Sequence, residues 1–249
     1  MKKSKQNNLL FLITVFFLIG QNVSTFALKK VTVSPDIQYH TIEGWGTSLC
    51  WFGNVLGGWS DPNRNQIADL LFDLDSGLGL NLVRYNIGGG DDPGHDHMKY
   101  GSEMQGFKPS AASPYDWSAD ANQRWFLCAA KKRIHPREFI AEAFSNSPPY
   151  WMTYSGCASG ASDGGNNLDS LYYDDFADYL TEVVRHFRTC WGITFRTLEP
   201  MNEPMGSWWS AYGNQEGCHF SRDVQDNIIK IVKAKLKKKK LCTKISAMD

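Results

Sequence analysis

Thr197-Leu-Glu-Pro-Met-Asn-Glu-Pro204 is the stretch on which the reading of this chain turns. Residues 193–199 read as a strand, and they run into prolines at 200 and 204. Each proline locks φ and lacks an N–H, so a strand should stop here and hand over to a loop. In that loop a carboxylate, Glu203, stands beside an amide, Asn202. A carboxylic acid fixed at a strand end can give and take a proton. A neighbouring amide can hold a hydroxyl, as donor or acceptor, without adding charge. Breaking a bond between two sugars calls for groups of this kind.

Working outward, three more segments read as a strand followed by a polar or aromatic loop. Residues 37–42 run into Glu43-Gly-Trp-Gly46, residues 80–86 into Gly88-Gly-Gly90, and residues 139–145 into Asn146-Ser-Pro-Pro-Tyr-Trp151. Helical periods lie between them. Asp61-Pro62 supplies an N-cap and a first-turn proline, with Ile67, Leu70, Leu71 and Leu74 on one face and Gly77 or Gly79 as the stop. Further helices are expected over 121–133, over 171–191 with Phe176, Leu180, Val183, Val184 and Phe187 on one face and Gly192 as its stop, and from about 221 with Val224, Ile228, Ile231 and Val232 inward. Residues 244–248 read as a fifth strand. Strand–helix alternation implies a parallel sheet, and motifs at successive strand ends favour a (β/α)8 TIM barrel over an open doubly wound sheet. Eight such units take about 250 residues, so the expected fold is α/β with only the first four βα units plus strand five present, as the N-terminal part of a barrel domain over 28–249.

The chain opens with Lys2, Lys3 and Lys5, followed by an apolar run at 9–19 that falls short of the roughly 20 residues needed to span a bilayer. This pattern predicts a signal peptide over 1–27, with Thr25-Phe-Ala27 as the cleavage site, and a secreted, monomeric product with no membrane attachment afterwards. The sequon Asn22-Val-Ser24 would leave with that leader. All six cysteines follow it, where an oxidising compartment permits disulfides, and Cys157 with Cys218 is the first pair to consider. Lys plus Arg equal Asp plus Glu at 26 each, so overall charge gives no reason to expect nucleic acid or an anionic membrane as partner. The run Lys237-Lys-Lys-Lys240 reads as a solvated helix end complementing the helix dipole. No Gly-x-Ser-x-Gly elbow is present, which argues against a serine hydrolase of the α/β type.

Gly44-Trp-Gly46, Arg84 with Asp91 and Asp92, Ser147-Pro-Pro-Tyr-Trp151 and Asn202-Glu-Pro204, in that order, together resemble the clan of retaining glycosidases that includes glucosylceramidases and endo-β-1,6-galactanases. The galactanase-like branch fits best, and the resemblance runs from about residue 31 to 249. It implies hydrolysis with retention of β-1,6-linked galactan or a related β-glycan, a polysaccharide or oligosaccharide substrate, and no cofactor. Glu203 would be the acid/base carboxylate after strand four, with Asn202 holding a sugar hydroxyl. The nucleophile carboxylate of that clan follows strand seven, and nothing here matches it. Glu199 lies too close in sequence to Glu203, and Asp249 ends the chain after strand five. The 249-residue chain alone is therefore expected to be inactive, and the alternative is an inactive fragment or a carbohydrate-binding remnant.

The same resemblance gives roles to the other strand ends. Arg84 would orient a carboxylate near the sugar, or else form a buried structural ion pair. Asp91, seven residues further on, matches a sugar-binding aspartate of the glucosylceramidase branch, with Asp92 as its rival. Trp151 and Trp208 are expected to stack on a pyranose, while Trp45 is balanced between platform and tight packing. Asn146 stands where the glucosylceramidase branch carries a tryptophan, which suits a different sugar at the cleavage subsite and is compatible with galactose. Asp91-Asp-Pro-Gly-His95-Asp-His97 also invites a metal, but zinc would need a further ligand from elsewhere and a tighter frame. The loop is read as sugar-binding, with no metal.

Overall fold

Five short strands, all parallel, lie side by side in chain order in one sheet: β1 (Gly46–Ser48), β2 (Leu82–Asn86), β3 (Ile140–Phe144), β4 (Thr197–Glu199) and β5 (Lys244–Ile245). The structure is a computed structural model and describes residues 30–247, so the expected leader at 1–27 and the last two residues of the chain lie outside it. Helices α1 (Phe52–Leu56) and α2 (Asp61–Phe72) follow β1, α3 (Ala121–Arg133) follows β2, α4 (Tyr173–Cys190) follows β3, and α5 (Arg222–Lys238) follows β4. The strand order shows no reversal of the kind that marks a doubly wound sheet.

Period-two alternation divides the strands into two faces. Val83 and Tyr85 of β2, Ala141 and Ala143 of β3 and Leu198 of β4 belong to the core, with Phe126, Leu127 and Ala130 of α3, Phe176, Val183 and Phe187 of α4 and Ile228 and Val232 of α5. Phe187 is central to it: its ring centroid lies 4.8 Å from Tyr85, 5.0 Å from Phe195 and 4.5 Å from Trp191. The residues between, Arg84, Glu142 and Glu199, belong to the other face, where polar groups meet. In register, Arg84 pairs with Glu142 and Phe144 with Glu199.

Several expectations need correction. Residues 37–42 form no strand. They belong to a unit of their own, Met1–Ile42, whose described part is coil with Ile37, Tyr39 and Ile42 exposed. The first strand starts at Gly46 instead, because a Cβ there would lie 2.6 Å from the Leu82 carbonyl oxygen, so only glycine lets β1 approach β2 this closely. Trp45 therefore precedes its strand, at the end away from the strand-end loops, and is exposed. On α2, Ile67 and Leu71 of the expected face pack against the core beside the buried Ala68 and Phe72, whereas Leu70, and Leu74 beyond the helix end, face solvent. The N-cap position is Ser60, with Pro62 in the first turn.

The later helices agree more closely with expectation. The α3 span is as expected, and Gly192 follows α4 with φ 65°. The basic run ending α5 is only partly solvated: Lys239 lies 3.1 Å from both Asp178 and Glu182 of α4, and Lys235 lies 2.8 Å from Asp174. All six cysteines are unbonded to one another, so Cys157 and Cys218 do not form the disulfide considered from sequence.

Candidate active site

The chemistry gathers where β2, β3 and β4 end. Arg84 reaches across all three: its Nε donates to Glu142 Oε1 at 3.1 Å, its Nη1 to Asn202 Oδ1 at 3.1 Å, and its Nη2 bonds and pairs with Glu199 Oε2. The guanidinium also stacks on Phe144, 3.9 Å from the ring centroid. Thr197 Oγ1 donates to the second oxygen of Glu142 at 2.6 Å. The structural ion-pair alternative for Arg84 is thereby realised, with a hydrogen bond to Asn202 added to it. A planar guanidinium suits this, since its donors fan out in fixed directions. Glu142 and Glu199 were not singled out from sequence as members of this cluster. Their alternate position along β3 and β4, on the face opposite the core residues, was the available signal.

Glu203 follows in the loop after β4. Its backbone has φ 45°, a left-handed conformation uncommon outside glycine and costing on the order of 1 kcal/mol or more. Surrounding bonds hold it there. Gly206 N–H and Trp209 Nε1–H both donate to the Glu203 carbonyl, at 3.0 and 3.1 Å, Phe220 N–H donates to Pro204 O at 2.8 Å, and Asn202 N–H donates to Ser145 O at 2.9 Å. Trp209 is buried, whereas Trp208 beside it is 64% exposed. Glu203, Trp208, Ser159, Gly213 and Asn214 line one cavity of about 360 Å³. An acid and a flat exposed ring sharing a cavity is an arrangement able to bind a sugar and protonate its leaving oxygen.

Of the other expected residues, Asn202 joins this group through Arg84. Trp151 is partly buried against the core, packs edge-on to Tyr172 at 5.6 Å, and gives its indole N–H to Lys108 O at 2.8 Å, so it anchors the loop after β3. Asn146 is buried. Its N–H donates to Asn86 Oδ1 at 3.2 Å, and its side-chain amide lies 3.7 Å from Cys50 Sγ. Asp92 is turned into its own loop, accepting from Gly94 N–H at 2.8 Å. Asp91 is buried between two imidazoles, 3.3 Å from His95 Nδ1 and 2.6 Å from His97 Nε2. It lines two further cavities, of about 520 and 300 Å³.

Beneath these loops lie two buried carboxyls that sequence reading missed. Glu216 accepts from Asn86 Nδ2 at 2.7 Å, Gly89 N–H at 3.0 Å and Met104 N–H at 3.3 Å, tying the loops after β2 and β4 together. Burial raises its pKa to about 8. Burial likewise raises Asp120 to about 7, where it accepts hydrogen bonds from Tyr85 and from Gln123, the latter at 2.7 Å. Both carboxyls stand in the polar layer joining β2 to its neighbouring loops.

The sequence model of O-glycosyl hydrolase family 30 matches residues 28–249. An endo-β-1,6-galactanase of Hypocrea rufa is 34% identical over 245 residues, covering 88% of this chain and 49% of the relative. An exo-β-1,6-galactobiohydrolase of Bifidobacterium longum is 28% identical over 254 residues, covering 79% of this chain and 16% of the relative. Among solved structures, a conserved exported protein from Bacteroides fragilis superposes with a TM-score of 0.74 at 27% identity, over 86% of this chain and 44% of that one. The catalytic domain of a family 30 xylanase C from Talaromyces cellulolyticus shares the fold at a TM-score of 0.64 and 23% identity, over 87% of this chain and 48% of that one. The chain thus spans about half the length of the galactanase and of these two structures, and a smaller part of the galactobiohydrolase. With the match covering all but the first 27 residues, and Glu203 held at the end of β4, the chain belongs to O-glycosyl hydrolase family 30.

Proposed function

We propose that the protein is a secreted retaining glycosidase acting on β-1,6-linked galactan, in which Glu203 is the acid/base. The observation that carries this is the cavity shared by Glu203 and the exposed Trp208, beside the Arg84–Asn202 hydrogen bond. Similarity to a galactanase and a galactobiohydrolase supports the substrate class. In the first step Glu203 protonates the leaving oxygen while a second carboxylate attacks the anomeric carbon. In the second step Glu203, now deprotonated, takes a proton from the water that releases the sugar. Asn202, aligned by Arg84, holds a hydroxyl of the sugar at the cleavage point. The two carboxylates must stand about 5 Å apart, and the attacking one belongs to a strand other than the five described, in a completed (β/α)8 barrel.

Glu203→Gln in the full-length secreted enzyme tests this. The amide keeps the shape of the side chain and removes its proton transfer, so kcat on β-1,6-galactan should fall by roughly 10²–10⁴-fold. Proton NMR of the first-formed sugar should show the β anomer. Unchanged kcat, or an α first product, would sink the assignment. A second reading, an inactive carbohydrate-binding remnant, is favoured by the engagement of both strand-end carboxylates, Glu142 and Glu199, with Arg84, which leaves neither placed as an attacking group. Galactan binding without turnover in the full-length protein would support it.

A further inference from the structure

We propose that Asp91, His95, His97 and Cys157 form a zinc site that pins the loops after β2 and β3 together. Sequence reading set a metal aside because the His95-Asp-His97 loop lacked a further ligand from elsewhere, and the fold supplies one. Cys157, 60 residues beyond His97 and fully buried, brings its Sγ to 3.6 Å from His95 Nδ1. One donor atom from each of the four residues lies within 4.8 Å of the others, in the only such cluster found among the described residues. Three edges are already short: 2.6 Å from His97 Nε2 to Asp91 Oδ2, 3.3 Å from His95 Nδ1 to Asp91 Oδ1, and the 3.6 Å sulfur contact. A tetrahedron with bonds of 2.0–2.3 Å has edges of roughly 3.3–3.8 Å, so small side-chain adjustments would bring the four donors around one ion.

The hydrogen bonds around the cluster favour the same assignment. His97 Nδ1 contacts the Gly213 carbonyl, which can only accept, so Nδ1 carries the hydrogen. In the neutral ring that leaves Nε2 as a bare lone pair. It is buried and faces a carboxylate oxygen at 2.6 Å, and in that neutral form the two acceptors need a positive charge between them, a metal ion or a further proton. A backbone carbonyl on the far nitrogen of a ligating histidine is the usual outer partner of a metal site. Tyr212 holds left-handed backbone at φ 60° while its ring packs edge-on to both imidazoles at 5.2 and 5.4 Å. Two imidazoles, one thiolate and one carboxylate make a donor set suited to zinc, and four protein ligands make a closed, structural site. On binding, the Cys157 thiol gives its proton to solvent. Gly213, next to Tyr212, lines the Glu203 cavity, so the ion would stiffen the wall of that cavity. Asp91 would then hold metal instead of a sugar hydroxyl. The inference depends on neither the identity of the sugar nor the role of Glu203.

The test is the metal content of the purified full-length protein, with zinc and then cobalt(II) as probes. Elemental analysis after dialysis should find about one zinc per chain, and stripping with a chelator should lower Tm reversibly. Cobalt(II) in place of zinc should give the near-ultraviolet absorption of a thiolate-to-cobalt bond, and Cys157→Ser should abolish that band. Should Cys157→Ser fail to fold, the cobalt spectrum and zinc content of the unaltered protein decide. Zinc far below stoichiometric after incubation with the ion, a Tm indifferent to chelator, or Cys157 recovered in a disulfide would each overturn the proposal, leaving a histidine–aspartate ion pair.

Discussion

Arg84 shows how much one residue can hold at this strand-end cluster. It pairs with Glu142 and Glu199, and Glu199 has only 3% of its side chain exposed, so removing the guanidinium strands carboxylates away from water. Arg84→Ala should cost about 3–5 kcal/mol, read as a lower urea midpoint, and Arg84→Lys should recover only part of it because donors on a single nitrogen cannot reach partners that the planar fork spans. A change below about 1 kcal/mol would show the cluster to be solvated in solution. Glu216 and Asp120 make a pH prediction whose sign runs against the usual carboxylate. Their folded pKa values, about 8 and about 7, lie above the ordinary 4.5 and 3.8, so between those limits the folded chain holds protons that the unfolded chain has lost. Stability should therefore fall as pH rises from about 4 to 8, by on the order of a few kcal/mol, and Glu216→Gln should flatten the decline. Denaturant midpoints at several pH values would show it, and a midpoint that rises with pH would contradict it. The strand-end placement of Glu203 could be read from its flanking prolines, and that of Arg84 from the glycines that follow its strand. Glu216, within Gly-Asn-Gln-Glu-Gly, looks like any solvated loop until Asn86, Gly89 and Met104 close over it.

At the scale of elements, the long helices could be read and the short strands could not be bounded. The apolar stripes of α4 and α5 recur over 18 and 17 residues, enough for the helical period to stand out, and their buried residues largely match. The described strands are two to five residues long, and their limits depend on which neighbour they pair with. β1 is the clearest case: the β-rich 37–42 segment lost to Gly46 because close approach, not propensity, selects the paired residues. The pairs from Lys235 and Lys239 to α4 were hidden for a similar reason, since a run of lysines does not say what lies across from it. Phe187 is where α4 is fastened to the sheet. Phe187→Ala should cost about 3–5 kcal/mol in chemical denaturation, as rings packed on three sides leave a cavity that cannot collapse. A loss near that of an exposed alanine substitution would mean the helix is held elsewhere.

For the whole molecule, the parallel order of the sheet followed from the alternation of strands and helices, and family membership followed from motifs at successive strand ends. The way distant loops meet did not follow, because Asp91, Cys157 and Tyr212 are neighbours only after folding. If the attacking carboxylate lies outside residues 28–249, as proposed, a polypeptide limited to those residues should release no sugar from β-1,6-galactan above the buffer rate, whereas a longer chain that carries it should do so through Glu203. Reducing-end assays on both would check it, and Glu203-dependent release by the shorter chain would show that its five strands hold both carboxylates. The left-handed backbone at Glu203 reaches beyond the chemistry of a single protein. A glycine there would sit at ease, so the glutamate holds a backbone conformation that its own side chain disfavours. In a duplicated gene freed from the need to cut sugars, nothing would oblige the chain to keep it there. On the proposed role, glycine at position 203 in a relative is the change to expect where sugar cleavage has been lost.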